Sequence, residues 1–350
     1  MSHATSDRYA WTEPGVEDLG GGIYRIPLPL AMDGLRAVNI YAITDAEGVD
    51  LIDGGIALVQ AQEQLERGLQ QIGYELRDIR NFFVTHVHID HYSLAVELRK
   101  TLHNVVALGE GERANLLALR KERRGGIGRG FGGDAHRLGA DELAPNLAQA
   151  NHARGVPRFN DWKDPDRWLS EGTDLDLRSR TLRVYHTPGH TQGHVIFHDA
   201  AARIMFAGDH VLPHITPSIG FESAPHRLAL RDYLSSLHRT LGLPDARLFP
   251  AHGPVTGSTH DRVNELLAHH DLRLAEIHQA VLAGCVTAYE VAKSIRWTHS
   301  LRRFSELDPQ SQFLAVNETG AHLEVLTLRG ELARKTSEDG VDLYEPAVAL

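Results

Sequence analysis

The sequence predicts an α/β (α+β) body followed by a helix-rich C-terminal region. Three observations lead there. Short apolar runs with strand-like residue types recur from residue 22 onward, separated by Gly, Asp and Pro turns. Between them lie segments whose apolar residues fall three and four apart, the spacing of a helix. Several of the strand-like runs end in His or Asp beside a glycine or proline, so polar side chains collect where strands stop.

Composition narrows the possibilities before any motif is read. At 350 residues the chain holds one large unit, or a large and a small one, each with a real core. A hydrophobic fraction of 42% with 23% charged residues is that of an ordinary globular protein rather than a disordered one. No run of eighteen apolar residues occurs, and the opening residues lack signal-peptide zoning, so no membrane span and a cytoplasmic location are expected. The single cysteine, Cys285, excludes an internal disulfide and any metal site built on several thiolates. A formal charge of -10 argues against general affinity for nucleic acid.

Residues 1–21 read as a polar leader. Residues 22–28, 37–43 and 49–52 read as strands, the last ending at Asp53-Gly54-Gly55, and the turns between them suggest an antiparallel start to a sheet. Residues 57–73 place Leu58, Ala61, Leu65, Leu69 and Ile72 at helical spacing. A strand at 79–85 leads into Thr85-His86-Val87-His88-Ile89-Asp90-His91, and a helix restarts at 93–98. Strand 105–108 and a helix from 110 to about 123 follow. From about 125 to 179 periodicity fades; the glycine-rich run 125–133 is a loop rather than a phosphate cradle, since no strand precedes it and no Lys-Ser/Thr follows. Such an insert either shapes a substrate pocket or makes a surface excursion.

Order returns at 182–185, which runs into His186-Thr187-Pro188-Gly189-His190-Thr191-Gln192-Gly193-His194. Strands 195–198 and 204–207 come next, the second ending at Gly208-Asp209-His210; after a helix near 228–241, residues 248–251 deliver His252-Gly253-Pro254. Residues 263–282 and 288–295 read as helices, 311–316 and 323–328 continue the helical pattern, and 332–336 and 341–344 flank a turn at Asp339-Gly340. Helices closed by a hairpin suggest a small winged-helix-like unit over 261–350. From residue 288 on it has seven basic against ten acidic residues, which favours a packing or dimerisation module over a DNA-binding one.

The chemistry starts at residues 86–91. Among 22 histidines an isolated His-x-His would carry little weight, but three imidazoles and a carboxylate within six residues at the mouth of an apolar run are a metal-ligand pattern. Together, HxHxDH at 86–91, TPGHTxGH at 187–194, Gly208-Asp209 and PAHGP at 250–254 resemble the ligand motifs of the metallo-β-lactamase-fold hydrolases, in the family's order, across residues 22–257. The resemblance implies a four-layered αββα sandwich over 22–260 with a two-metal site at one edge between the sheets. It assigns His86, His88 and His190 to one ion, Asp90, His91 and His252 to the second, and Asp209 to both. Imidazole and carboxylate suit Zn²⁺, Fe²⁺ or Mn²⁺, with zinc the expected pair. Two such ions would share a hydroxide as nucleophile, with Asp90 orienting it or passing a proton to the leaving group.

Asp53, Thr85 and His194 are candidates to orient ligating imidazoles. His210 and His214 could face substrate, whereas His186, His198, His269 and His270 read as surface or helix histidines. The motifs resemble hydroxyacylglutathione hydrolases and related thioesterases, so a thioester or activated ester is the leading substrate class: acyl-CoA, acyl-carrier, glutathione thioester or lactone. For a CoA substrate, Arg120, Lys121, Arg123, Arg124 and Arg129 are the available cations. Phosphodiester or RNA cleavage is the alternative suggested by the tail, and net acidity weighs against it. One-iron persulfide oxidation is the third reading, which retention of Asp90, His91 and His252 opposes. No nucleic-acid or membrane partner is expected, and a homodimer is possible.

Overall fold

A computed structural model describes residues 7–30, 35–125, 135–143, 145, 159–224, 226–298 and 300–347. Two sheets face one another. The first has seven strands in sequence order: β1 (Glu17–Gly20), β2 (Ile23–Pro29), β3 (Ala37–Asp45), β4 (Gly48–Ile52), β5 (Ile79–Val84), β6 (Val105–Gly109) and β7 (Arg167–Leu169). It starts antiparallel, as expected, and turns parallel from β4 onward. The second has the order β12-β11-β10-β9-β8, from β8 (Asp174–Asp176), β9 (Thr181–His186), β10 (Val195–Asp199), β11 (Ile204–Gly208) and β12 (Arg247–Pro250).

Side-chain alternation explains the layering. In β5, Phe82 and Val84 join the cluster under the first helical layer, while Phe83 points the other way to meet Phe197 of the second sheet. In β11, Ile204 and Phe206 enter the inter-sheet core, and Met205 and Ala207 face the opposite helices. Both faces of both sheets are therefore apolar, which requires four layers. Helices α1 (Val59–Gln71) and α2 (Ile89–Leu102) cover the first sheet; α3 (Arg113–Gly125) follows β6. Helices α4 (Ala229–Leu241), α5 (Thr259–Leu282), α6 (Ala288–Ser294) and α7 (Pro309–Leu328) share one apolar cluster with the second sheet's outer face. The antiparallel pair β13 (Leu332–Thr336) and β14 (Asp342–Pro346) closes the chain's helical region. Among the described residues no helix is long and apolar enough to cross a membrane.

Three expectations are corrected. The polar leader contains a 3-10 turn at Asp7–Thr12 and edge strand β1, anchored where Glu17 accepts from Arg25 Nε at 2.7 Å. Within the insert, 126–134, 144 and 146–158 lie outside the described residues, but β7 and β8 extend the two sheets. Helix α2 begins at Ile89, not 93, because the motif itself opens the helix with His88 as N-cap. The helical pattern expected at 311–316 and 323–328 is present, as one continuous helix, α7. Polar residues interrupt the apolar spacing there, yet Gly320 lets Leu138 pack close and His322 Nε2 meets His270 Nδ1 at 3.1 Å.

Candidate metal centre

Strands β4, β5, β9, β11 and β12 all end at the same edge, and each is followed by a polar residue of the expected motifs. The helix start inside residues 86–91 divides that motif. His86 and His88 lie on the loop, whereas Asp90 and His91 occupy the first turn of α2, where a carboxylate also suits the helix dipole. Two donor groups result: His86, His88, His190 and Asp209, and beside them Asp90, His91 and His252, the atoms of each group within 4.8 Å of one another.

In the first group, His88 Nδ1 is 2.9 Å from His86 Nε2 and 3.0 Å from His190 Nε2, and Asp209 Oδ2 is 3.4 Å from His190 Nε2. In the second, Asp90 Oδ2 lies 3.4 Å from His252 Nε2 and 3.6 Å from His91 Nε2. Asp209 Oδ1 reaches the same two nitrogens at 3.4 and 3.8 Å. The two oxygens of Asp209 thus point one to each group.

The outer nitrogens decide what the inner ones offer. His91 Nδ1 donates to Asp53 Oδ2 at 3.0 Å, His190 Nδ1 to the Ser218 carbonyl at 2.8 Å, and His252 Nδ1 to the Ala37 carbonyl at 2.7 Å. Each bond leaves an Nε2 lone pair aimed inward. His91 Nε2, His252 Nε2 and Asp209 Oδ1 are buried without a hydrogen-bond partner, and the carboxylates of Asp53, Asp90 and Asp209 are all buried within this one site. Converging lone pairs and buried negative charge are costly unless cations lie between them. The residues therefore fit a dinuclear divalent-metal site.

Electrostatics distinguish the groups. Burial, reinforced by neighbouring imidazoles, pushes His86 well below the usual histidine range, and burial with His190 beside it takes His88 down to about 3. Burial would lower His91 too, but Asp90, Asp53 and Asp209 outweigh it and push the group up to about 10. His252 is raised in the same way, burial being overcome by Asp209 and Asp90. Burial opposes ionisation of Asp90 and Asp209, yet the surrounding imidazoles hold both below the usual carboxylate range.

Supporting residues fall where their motifs suggested. Asp53, in the left-handed region at φ 62°, accepts from the Thr85 N–H at 2.8 Å while holding His91, and Thr85 Oγ1 lies 3.1 Å from His86 Nδ1. His194 Nε2 accepts the Asp209 N–H at 3.1 Å, its Nδ1 lying 2.8 Å from Thr187 Oγ1. Gly208 has to be glycine: at φ +51° a Cβ would lie 2.7 Å from both His194 and Thr85.

Other assignments change. His210 is fully buried, its Nε2 3.0 Å from Thr240 Oγ1, so it faces the helices rather than a substrate; His214 is exposed. His198 is buried in strand β10, and His270 is a helix histidine, as read, but a buried one, packed against Tyr233 and His322 of the neighbouring helices. Arg120 is spent on Asp164 at 2.8 Å and the Trp162 carbonyl at 2.5 Å; Lys121 sits exposed on α3, and the side chains of Arg123, Arg124 and Arg129 lie outside the described residues. Sequence reasoning missed the groups that brace the loops. Asn39 Nδ2 donates to the Pro250 and Gly253 carbonyls at 2.9 and 2.8 Å and Tyr41 Oη to Pro250 at 2.8 Å, clamping the His252 loop. Buried Glu112 accepts from Thr191 Oγ1 and from Val87 N–H at 3.4 Å, tying the two histidine loops together, and Asn115 bridges it to Glu222. A polar residue inside an otherwise apolar strand, as Asn39 is, was the only visible signal.

The profile of the metallo-beta-lactamase superfamily matches residues 33–252. A crystal structure of a metallo-beta-lactamase family protein from Thermus thermophilus superposes with a TM-score of 0.73 at 28% identity, covering 94% of this chain and 100% of that one. The probable metallo-hydrolase YqjP of Bacillus subtilis is 24% identical over 86% of this chain and 90% of its own length. Partial similarity extends to the atrochrysone carboxyl ACP thioesterase AgnL7 of Paecilomyces divaricatus, 26% identical over 54% of this chain and 60% of that protein. The hydroxyacylglutathione hydrolase GloC of Haemophilus influenzae is 27% identical over 44% of this chain and 59% of its own. Other curated relatives are spanned over less than half their length, 45% and 37% in two cases.

Proposed function

The chain belongs to the metallo-β-lactamase superfamily, and from that premise we propose that it is a dinuclear metal-dependent hydrolase of thioesters or activated esters. The observation that carries this reading is the position of Asp209, with one oxygen toward each of two donor groups. When bound, two divalent ions there supply Lewis acidity and an activated water; zinc suits the nitrogen and oxygen donors, as Fe²⁺ and Mn²⁺ also would. His86, His88 and His190 would hold one ion and Asp90, His91 and His252 the other, with Asp209 available to both.

Asp90 is the catalytic group of this proposal. Its carboxyl stays ionised at neutral pH, so it can accept the proton of the attacking water and return it to the departing thiolate or alkoxide. Water and thioester then give a carboxylic acid and a thiol with no protein nucleophile. The thioesterase and hydroxyacylglutathione hydrolase among the relatives support a thioester over a phosphodiester, as does the net acidity of the tail.

A panel of acyl thioesters, a lactone and single-stranded RNA tests the reading, with Asp90→Asn as control. The expected outcome is metal-dependent thioester or ester cleavage that collapses in the variant; RNA cleavage alone, or persulfide oxidation with one iron per chain, would replace it.

A further inference from the structure

A cavity of about 190 Å³ lies beside the metal centre, lined by Arg137 and Arg227, by Gly220 and His226 of the loop before α4, and by Asn317 and Glu324 of α7. It is smaller than the roughly 300–1,000 Å³ of a site for a whole drug-sized ligand, so it fits a terminal group rather than a molecule. The loop connects it to the chemistry. The Ser218 carbonyl accepts from His190 Nδ1, and the Phe221 ring lies 6.4 Å from that of His88. Gly220, between them, forms the cavity wall, with α7 packed behind it at Asn317. At about 3.5 Å per residue, two residues place this wall within roughly 7 Å of the carbonyl that holds His190.

The carboxylates at the cavity are already paired. Glu324 and Asp342 are buried, and their oxygens are already taken. Asp342 Oδ2 accepts from Arg137 at 2.9 Å and Arg227 at 2.8 Å, and its Oδ1 from Thr336 at 2.9 Å. Glu324 accepts from Arg334 at 2.6 and 2.7 Å, Arg227 at 3.1 Å and Tyr344 at 3.0 Å. Three guanidiniums thus face two carboxylates. All of Arg227's bonds run through Nη1, leaving its Nε and Nη2 donors without an acceptor among the described residues, on a side chain 43% exposed. A guanidinium presents five donors in a planar fork suited to an oxyanion.

We infer that this cavity is an anion subsite that holds a carboxylate or phosphate of the substrate on the order of 10 Å from the scissile carbonyl. The inference rests on the hydrolase reading above. The anion can belong to the acyl group or to the leaving group, and two matched pairs of substrates separate these sources. The first compares the half-thioester of adipic acid on N-acetylcysteamine with the hexanoyl thioester; the second compares hexanoyl phosphopantetheine with hexanoyl pantetheine. The expected result is a preference of about tenfold or more in kcat/KM for the charged member of one pair, carried mainly by KM. In Arg227→Gln that preference falls to near unity. Because Arg227 also braces Glu324 and Asp342, Asn317→Asp serves as a second variant. It keeps the guanidiniums, adds a negative charge to the cavity wall, and lowers the same preference.

Equal turnover of charged and neutral members by the wild type would overturn the subsite while leaving the hydrolase reading intact. Absence of turnover on every ester would overturn that reading instead. The subsite is then decided by calorimetric titration of adipate and inorganic phosphate into wild type and both variants. Saturable binding of either anion that both variants weaken supports it, and no binding, or binding the variants leave unchanged, refutes it.

Discussion

The two donor groups share Asp209 and a similar set of ligand types, yet they are poised differently. The group of His86, His88 and His190 is imidazole crowded on imidazole, and its histidines are held neutral. The group of Asp90, His91 and His252 interleaves imidazoles with carboxylates, and its histidines are drawn toward the charged form. The first is ready to accept a cation at neutral pH, whereas the second must lose a proton to do so. Ligand identity alone therefore does not set how a metal site fills; the arrangement of the next carboxylate does.

The most direct way to break this pairing is to remove what the groups share. Asp209→Ala takes one oxygen from each, and the expected loss of activity exceeds the roughly 10–100-fold typical of an outer supporting residue. Metal content measured on protein purified without added metal should fall at both positions. Retention of two ions per chain with unchanged turnover would show that the groups are independent.

Asp53 touches a ligand directly only in the second group, at His91; its link to His86 of the first runs through Thr85 Oγ1. Asp53→Asn keeps an acceptor for Thr85 and tolerates the positive φ, but removes the charge beside His91. Metal affinity at the second group is expected to weaken by about 10–100-fold, with a smaller loss at the first, which Asp53 reaches only through Thr85. Equal weakening of both ions in a metal titration would erase the distinction.

These contrasts were only partly legible in the sequence. The ligand residues could be read because each sits in a short motif at a strand end, with glycine or proline beside it. The four layers followed only from the family resemblance; apolar residues on both faces of β3, β5, β10 and β11 are what four layers require. Nothing local says that Asp90 and His91 stand on a helix while His86 does not, since the turn forms only once α2 docks on the first sheet. Glu112, Asn115 and Glu222 were invisible for the same reason: a buried carboxyl about a hundred residues from its partner looks like any surface glutamate until the chain folds. His198 misled because histidine has no strong preference for the surface, and what buries it is packed on it only in the folded chain.

Proton release sharpens the comparison further. His91 is raised to about 10 in the folded protein, so in the metal-free state its contribution to stability is complete below about pH 6.5 and is lost as pH rises through about 10. His88 is shifted oppositely, and its contribution is present above about pH 6.5 and lost as pH falls toward 3. Because a ligating imidazole must be neutral, metal uptake at the second group should release protons at neutral pH, and uptake at the first close to none. Calorimetric titration of zinc in buffers of different ionisation enthalpy measures this, and His252→Ala, which cripples the second group, should remove the proton-linked phase. Identical proton release in the two phases would contradict the charge difference.

The smallest expected effect concerns the carboxyls behind the first group. Burial raises Glu222 to about 8, and the nearby Glu112 carboxyl adds to it, so Glu222 is mostly protonated at neutral pH in the folded chain, unlike Asp90 of the second group. Its Oε2 accepts from the Gln192 N–H at 3.0 Å and Asn115 Nδ2 at 2.7 Å, both of which a glutamine oxygen can still satisfy. Glu222→Gln should therefore leave metal content unchanged and cost little stability at about pH 5. The folded pKa lies above the unfolded one, so the wild type's advantage from this group is present below about pH 4.5 and drains away as pH rises through about 8. The amide has no such loss. In urea unfolding the variant should gain on the wild type between about pH 5 and 9, and parallel pH dependence of the two midpoints would mean that the carboxyl behind His190 is ionised after all.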